Sequence, residues 1–256
     1  ITGHVGSRTN SFIEEGKVCS KEQLDSTNAT LHWYFMSAID VVNTDNCSAV
    51  VCLGDSITDG RGTTNDLQNR WTDIFAERLQ NNEGTKRIAV LNQGIGGTCI
   101  KGPGLNPMWP TGESRFVKDV LNQTGIKYLV VLYGINDIIA GTSAQDIIST
   151  YKALIQKAHS EGITVYGGTI LPFGKNSGWT EEKEAVRNCV NSWIRNAKNE
   201  KEGFDGYIDF ACVMGDPENK LYLNTKWNFE EDGLHPNALG YAEMGKQPDL
   251  NLFTTN

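Results

Sequence analysis

The chain has only four histidines and six cysteines to offer a zinc ion. No Cys-X-X-Cys pair occurs among them, which argues against a zinc site. No apolar run approaches the ~18 residues of a membrane span. Lys and Arg number 23 against 31 Asp and Glu, a net charge of −8. The basic residues form no stripe or run, so nucleic acid is not an expected partner. Phosphate-binding loops are missing too. Gly94-Ile95-Gly96-Gly97 lacks the GxGxxG spacing, and no Lys-Ser/Thr pair follows it. There is no internal repeat, no low-complexity tract and no signal-peptide pattern at the N-terminus.

What is present fits one large globular domain, or one domain with a small appendage. A chain of 256 residues, 39% apolar and 21% charged, buries a substantial core without metals or many disulfides. Three glycosylation sequons occur, at Asn28, Asn46 and Asn122. With six cysteines they favour a secreted, extracellular glycoprotein. Cys52 lies inside an apolar run and reads as a small buried hydrophobe. Cys19 and Cys47 both lie in the polar N-terminal part and are the candidates for a disulfide.

Residues 1–30 are polar and show little periodicity, so residues 1–47 read as an irregular arm preceding a domain over 48–256. From Ala49 onward short β-branched runs alternate with amphipathic stretches. The expected strands are 49–53, 87–91, 128–133, 164–169 and 206–210; their near-continuous apolar character is that of buried parallel strands. The expected helices are 70–80, 114–122, 144–160, 181–199 and 236–246. In the third, Ile147, Ile148, Tyr151, Leu154, Ile155 and Ala158 recur at helical spacing. Alternation of this kind predicts an α/β domain, a three-layer α/β/α sandwich around a parallel sheet of about five strands. Its ligand site belongs beyond the carboxyl ends of the strands.

Four stretches sit where such a site would be. In CLGDSITDGRG, residues 52–62, Ser56 follows the first strand, either as a turn residue or as a nucleophile that needs a base. In DGLHPN, residues 232–237, Asp232 and His235 are three apart, as neighbours on one helical turn are. They form either a helix-starting turn or the orienter and base of a triad. In YGINDI, residues 133–138, the Asn136 amide can donate from a strand end. In LNQGIGGTCI, residues 91–100, glycines leave backbone N–H groups open to an oxyanion. Asp55 and Asp137 read as loop-holding carboxylates. Trp71, Trp109, Trp179 and Trp227 can line a groove or serve as core and loop anchors.

With these four blocks in this order, over about residues 48–245, the sequence resembles the SGNH hydrolases, also called the GDSL esterase/lipase family. GDSIT supplies Ser56, NQGIGG supplies Gly97, GIND supplies Asn136, and DGLHP supplies Asp232 and His235. Position 58 is Thr, so the GxSxG of the α/β-hydrolases is absent. The resemblance implies a flavodoxin-like fold and hydrolysis of carboxyl esters by a Ser56–His235–Asp232 triad. Ser56, Gly97 and Asn136 would be the oxyanion donors, with no cofactor or metal. DSITDGRG, NRW, VLNQGIGGT, TILPFG and GLHPN resemble a branch of secreted esterases linked to plant cell-wall breakdown. That branch implies a small-molecule or polysaccharide ester as substrate, first an acylated carbohydrate, with a lipase or phospholipase activity second. A non-catalytic carbohydrate-binding domain is the third reading. A monomer is expected, and ITGHVGSRTNSF resembles the tail of an upstream β-rich region.

Overall fold

The computed structural model describes residues 3–4, 6–18, 20–24, 28–36, 38–42, 46–200 and 202–254. Five parallel strands form the centre: β5 (Ser48–Gly54), β6 (Ile88–Gly94), β7 (Ile126–Leu132), β8 (Thr164–Gly168) and β9 (Gly206–Ile208). They follow β1 (Gly3–His4), β2 (Ser11–Phe12), β3 (Ala29–Thr30) and β4 (Trp33–Tyr34) of the N-terminal arm. The central order is β6-β5-β7-β8-β9, the flavodoxin-like order in which the chain reverses its direction of growth beside the first strand. All five expected strands are present; their ends agree within two residues except that β6 runs three residues further, to Gly94.

Both faces of the sheet are covered, which explains the unbroken apolar runs. Val50 through Leu53 are fully buried, and Tyr128 through Leu132 nearly so, because alternate side chains enter opposite layers. The helices are α1 (Ser56–Asp59), α2 (Trp71–Gln80), α3 (Gly112–Phe116), α4 (Ile135–Ile139), α5 (Ala144–Ser160), α6 (Glu181–Asn196), α7 (Phe210–Met214) and α8 (Ala238–Gly245). Helices α2, α7 and α8 pack together, as do α5 and α6. On the first side Trp71 and Phe75 of α2 meet Phe210 and Phe253, and Phe253 meets Tyr128 and Tyr166 of the sheet. On the second, Tyr151 stacks on Trp193, and both meet Phe204. The expected helix over 114–122 is α3 running into a π-helical turn, Val117–Leu121.

The arm is less irregular than its composition predicts. β1 pairs antiparallel with β4, and β2 with β3. Ser7 is fully buried, and its carbonyl accepts from Nη2 of the buried Arg70. Cys47 is a free thiol; its expected partner Cys19 lies outside the described residues. No helix among the described residues is long and apolar enough to cross a membrane.

Candidate active site

The first central strand delivers Ser56. β5 ends at Gly54, and Asp55 caps α1, its Oδ1 accepting from the Ile57 N–H at 3.0 Å. Ser56 is therefore the first residue of a one-turn helix pressed onto the neighbouring loop. A Cβ at Gly94 would stand 2.1 Å from the Asp59 backbone nitrogen, so only glycine permits this approach. Ser56 is 8% exposed, which leaves its hydroxyl at the surface of the core.

His235 meets it from 179 positions away. Ser56 Oγ lies 2.8 Å from His235 Nε2, and His235 Nδ1 lies 2.6 Å from Asp232 Oδ2. A carboxylate only accepts, so Nδ1 carries the proton and Nε2 is left to accept from the serine hydroxyl. The Asp–His pair does not share a helical turn, as its spacing suggested. Residues 232–237 form a loop ahead of α8, with Gly233 at φ +68°. Asp232 Oδ1 accepts the backbone N–H groups of Leu234 and His235, both at 2.8 Å. That bracket turns the chain so that Oδ2 faces the ring. The Asp232 carbonyl in turn accepts from Asn176 Nδ2 at 2.9 Å. Burial pushes the Asp232 carboxyl up, but the His235 side chain and these two N–H groups outweigh it and hold it below its ordinary range.

The other two blocks stand at the ends of β6 and β7. Gly97 has φ +74°, a left-handed conformation that glycine adopts without strain. The Ile95 N–H donates to the Gly54 carbonyl and the Gly96 N–H to Asp59 Oδ2. The N–H groups of Ser56 and Gly97 donate to no described residue. Asn136 Nδ2 donates to the Thr98 carbonyl at 2.9 Å, which fixes the amide beside the Gly97 loop and leaves its second N–H to spare. Ser56, Gly97, Asn136, Asp232 and His235 are thus brought to one place.

One supporting residue, Arg115, had no sequence signal. Arg115, 3% exposed, donates through Nη2 to the carbonyls of Gly54 and Gln93 and to the Tyr133 hydroxyl, at 3.0, 2.8 and 2.9 Å. One guanidinium thereby ties together the ends of β5, β6 and β7. Asp137 accepts from the Ile100 and Lys101 N–H groups, the loop-holding role its position suggested. Burial pushes the Asp137 carboxyl up against those hydrogen bonds. Burial also pushes the Asp55 carboxyl up to about 7, with the Ile57 N–H opposing. Cys52 and Cys99 are buried and their thiols are raised, Cys99 to about 12, so neither is poised as a nucleophile.

Of the tryptophans, Trp71 is core, and Trp179 and Trp227 pack partly buried against it. Trp109 borders the site at Gly97. A Cβ at Gly97 would stand 2.8 Å from Trp109 Cζ3 and 3.1 Å from Leu105 Cδ1. Leu105 and Met108 of the same loop are exposed. Asn28, Asn46 and Asn122 are all exposed.

The GDSL-like lipase/acylhydrolase family matches residues 52–243. No curated protein matches significantly. Solved structures do. A carbohydrate acetylesterase family member from Sinorhizobium meliloti superposes with a TM-score of 0.61 at 16% identity, over 80% of this chain and 96% of its own. The acetyl xylan esterase AlAXEase gives 0.57 at 23%, over 77% and 96%. A member of the lipolytic protein G-D-S-L family from Veillonella parvula gives 0.56 at 19%, over 78% and 95%. At these identities the likeness is one of fold. A family match over most of the chain, together with the four blocks gathered at the strand ends, establishes that the chain belongs to the GDSL-like lipase/acylhydrolase family and is an ester hydrolase.

Proposed function

We propose that this chain is a serine esterase that removes acetyl or other acyl groups from a carbohydrate through an acyl-enzyme. Ser56 Oγ attacks the ester carbonyl while His235 Nε2 takes its proton, then passes that proton to the leaving alcohol. Asp232 fixes the ring and stabilises the imidazolium. The tetrahedral oxyanion is met by the Ser56 and Gly97 N–H groups and the Asn136 amide. Water, activated by His235, then releases the acid and restores Ser56. The observation that carries this reading is the unbroken contact from Ser56 Oγ through the imidazole to Asp232, 2.8 and 2.6 Å.

The carbohydrate part is supported by two fold neighbours, a carbohydrate acetylesterase family member and an acetyl xylan esterase. Acetate release from a panel of acetylated polysaccharides, wild type against Ser56→Ala, tests it. Release by wild type alone is expected; hydrolysis of p-nitrophenyl acetate without release from any polysaccharide would contradict the carbohydrate reading. The exposed Leu105 and Trp109 beside Gly97, with the exposed Met108 in the same loop, favour a lipase-type reading as the second, and a preference for long-chain p-nitrophenyl esters would establish it. The intact set of five residues speaks against a non-catalytic binding domain. A secreted glycoprotein is supported by the exposure of all three sequon asparagines. In material from a eukaryotic secretory pathway, glycosidase treatment should lower the mass; an unchanged mass would refute it.

A further inference from the structure

The N-terminal arm lies outside residues 52–243 that the family matches, yet it reaches the proposed oxyanion loop. His4 Nε2 lies 2.6 Å from Asp59 Oδ1, and the other oxygen, Oδ2, accepts the Gly96 N–H at 3.2 Å. Asp59 stands one helical turn after Ser56. Its carbonyl accepts from Arg70 Nε at 3.1 Å, and the same guanidinium donates through Nη2 to the Ser7 carbonyl of the arm. A Cβ at Gly6 would stand 2.8 Å from Asp59 Oδ2, so arm and carboxylate are in close contact. His4 is itself placed by its pairing with Trp33 across β1 and β4, with the rings edge to face at 5.7 Å.

Two consequences follow for the site. Of three successive N–H groups, that of Ile95 is held by the Gly54 carbonyl and that of Gly96 by Asp59, while that of Gly97 has no partner among the described residues. With the Leu105 N–H on the Gly97 carbonyl and Thr98 on the Ile95 carbonyl, the hold of Asp59 on Gly96 fixes the peptide that carries the Gly97 N–H. The carboxylate is also a negative charge one residue from the place where an oxyanion would develop, and an unneutralised charge there opposes the transition state. A carboxylate can only accept, so the His4 Nε2–H donates to it and draws its charge away from the loop.

We propose that His4 and Asp59 are positioning residues for the oxyanion hole, so that the arm completes the catalytic apparatus of the domain. The proposal rests on the reading of Ser56 and Gly97 given above. Its test uses the full chain and counts active sites by stoichiometric reaction with diethyl p-nitrophenyl phosphate. Per titrated site, His4→Ala should lower kcat for p-nitrophenyl acetate about tenfold with KM within about twofold, the pattern of an interaction felt in the transition state. His4→Gln, whose amide can still donate to Asp59, should recover most of the loss. In an Asp59→Ala background, His4→Ala should add nothing, because the carboxylate through which it acts is gone. Hydrogen exchange at the Gly96 amide, read independently of activity, should accelerate in His4→Ala and in Asp59→Ala. A His4→Ala protein with wild-type kcat per titrated site overturns the proposal, as does a loss seen only in the number of titrated sites. Wild-type protein inert to both ester and titrant would refute the esterase reading itself and the catalytic role of His4 with it, while Gly96 exchange would still decide whether His4 holds the loop.

Discussion

Removing the Asn136 amide separates a catalytic donor from a turn residue. The amide makes one protein hydrogen bond, from Nδ2 to the Thr98 carbonyl at 2.9 Å, and its second N–H is available to an oxyanion. In Asn136→Ala both are lost. The hydrogen bond to Thr98 contributes about 1 kcal/mol to stability, a fall in Tm of roughly 2–4 °C for a domain of this size. The oxyanion contact is realised only when charge develops on the carbonyl oxygen. Its loss should lower kcat by about 10²–10³, or about 2.7–4 kcal/mol, with KM little changed. Steady-state kinetics on p-nitrophenyl acetate and a thermal melt of the same preparation read both quantities. A stably folded Asn136→Ala within a few-fold of wild-type kcat would remove Asn136 from the oxyanion hole and refute the reasoning.

Three further outcomes are expected. Asp232→Asn should keep the fold but leave His235 in the wrong tautomer, lowering kcat by about 10⁴ on the pattern of the same change in chymotrypsin-type triads; a loss below tenfold would contradict the triad geometry. The Asp232 carboxyl is depressed in the folded state, so its contribution to stability is present above the unfolded value of about 3.9 and is lost as pH falls through the folded one; a denaturant titration at decreasing pH should show a smaller acid loss for Asp232→Asn than for wild type, and equal losses would refute the shift. Asp55 is raised, from 3.8 to about 7, so the sign reverses: wild-type stability should fall as pH rises from about 4 to about 7, by an amount on the order of 4 kcal/mol, and Asp55→Asn should flatten that fall. Parallel curves for the two proteins would show that Asp55 ionises normally.

Much of this arrangement is legible in the sequence, and the parts that are not share a cause. The central strands read clearly because Val50–Leu53 and Leu129–Leu132 are buried on both sides. Helix α5 reads to the residue because Ser143 caps it, accepting from the Asp146 N–H, and a long apolar stripe follows. Helices α1, α4 and α7 span four or five residues, too few to carry a period. The four motif blocks name the site residues, yet the Asp232–His235 geometry differs from the helical neighbours their spacing suggests, because Gly233 at φ +68° turns the chain and the carboxylate brackets two N–H groups. Arg115 carries no signal of its role in the sequence. Only the fold turns it inward onto the Gly54 and Gln93 carbonyls, 61 and 22 positions away. The same holds for His4, which meets Asp59 across 55 positions. Contacts of this kind depend on how loops are brought together and leave no local pattern.

The central claim is that Ser56 is the nucleophile, activated by His235. Its most direct test is to react the protein with diethyl p-nitrophenyl phosphate, follow esterase activity, and locate the phosphoryl group by mass spectrometry of the digested chain. The account predicts one adduct per chain, on the peptide carrying Ser56, formed in proportion to the activity lost and absent from Ser56→Ala and His235→Ala. Full inactivation with the adduct on another residue, or esterase activity persisting in a chain fully modified at Ser56, would contradict it.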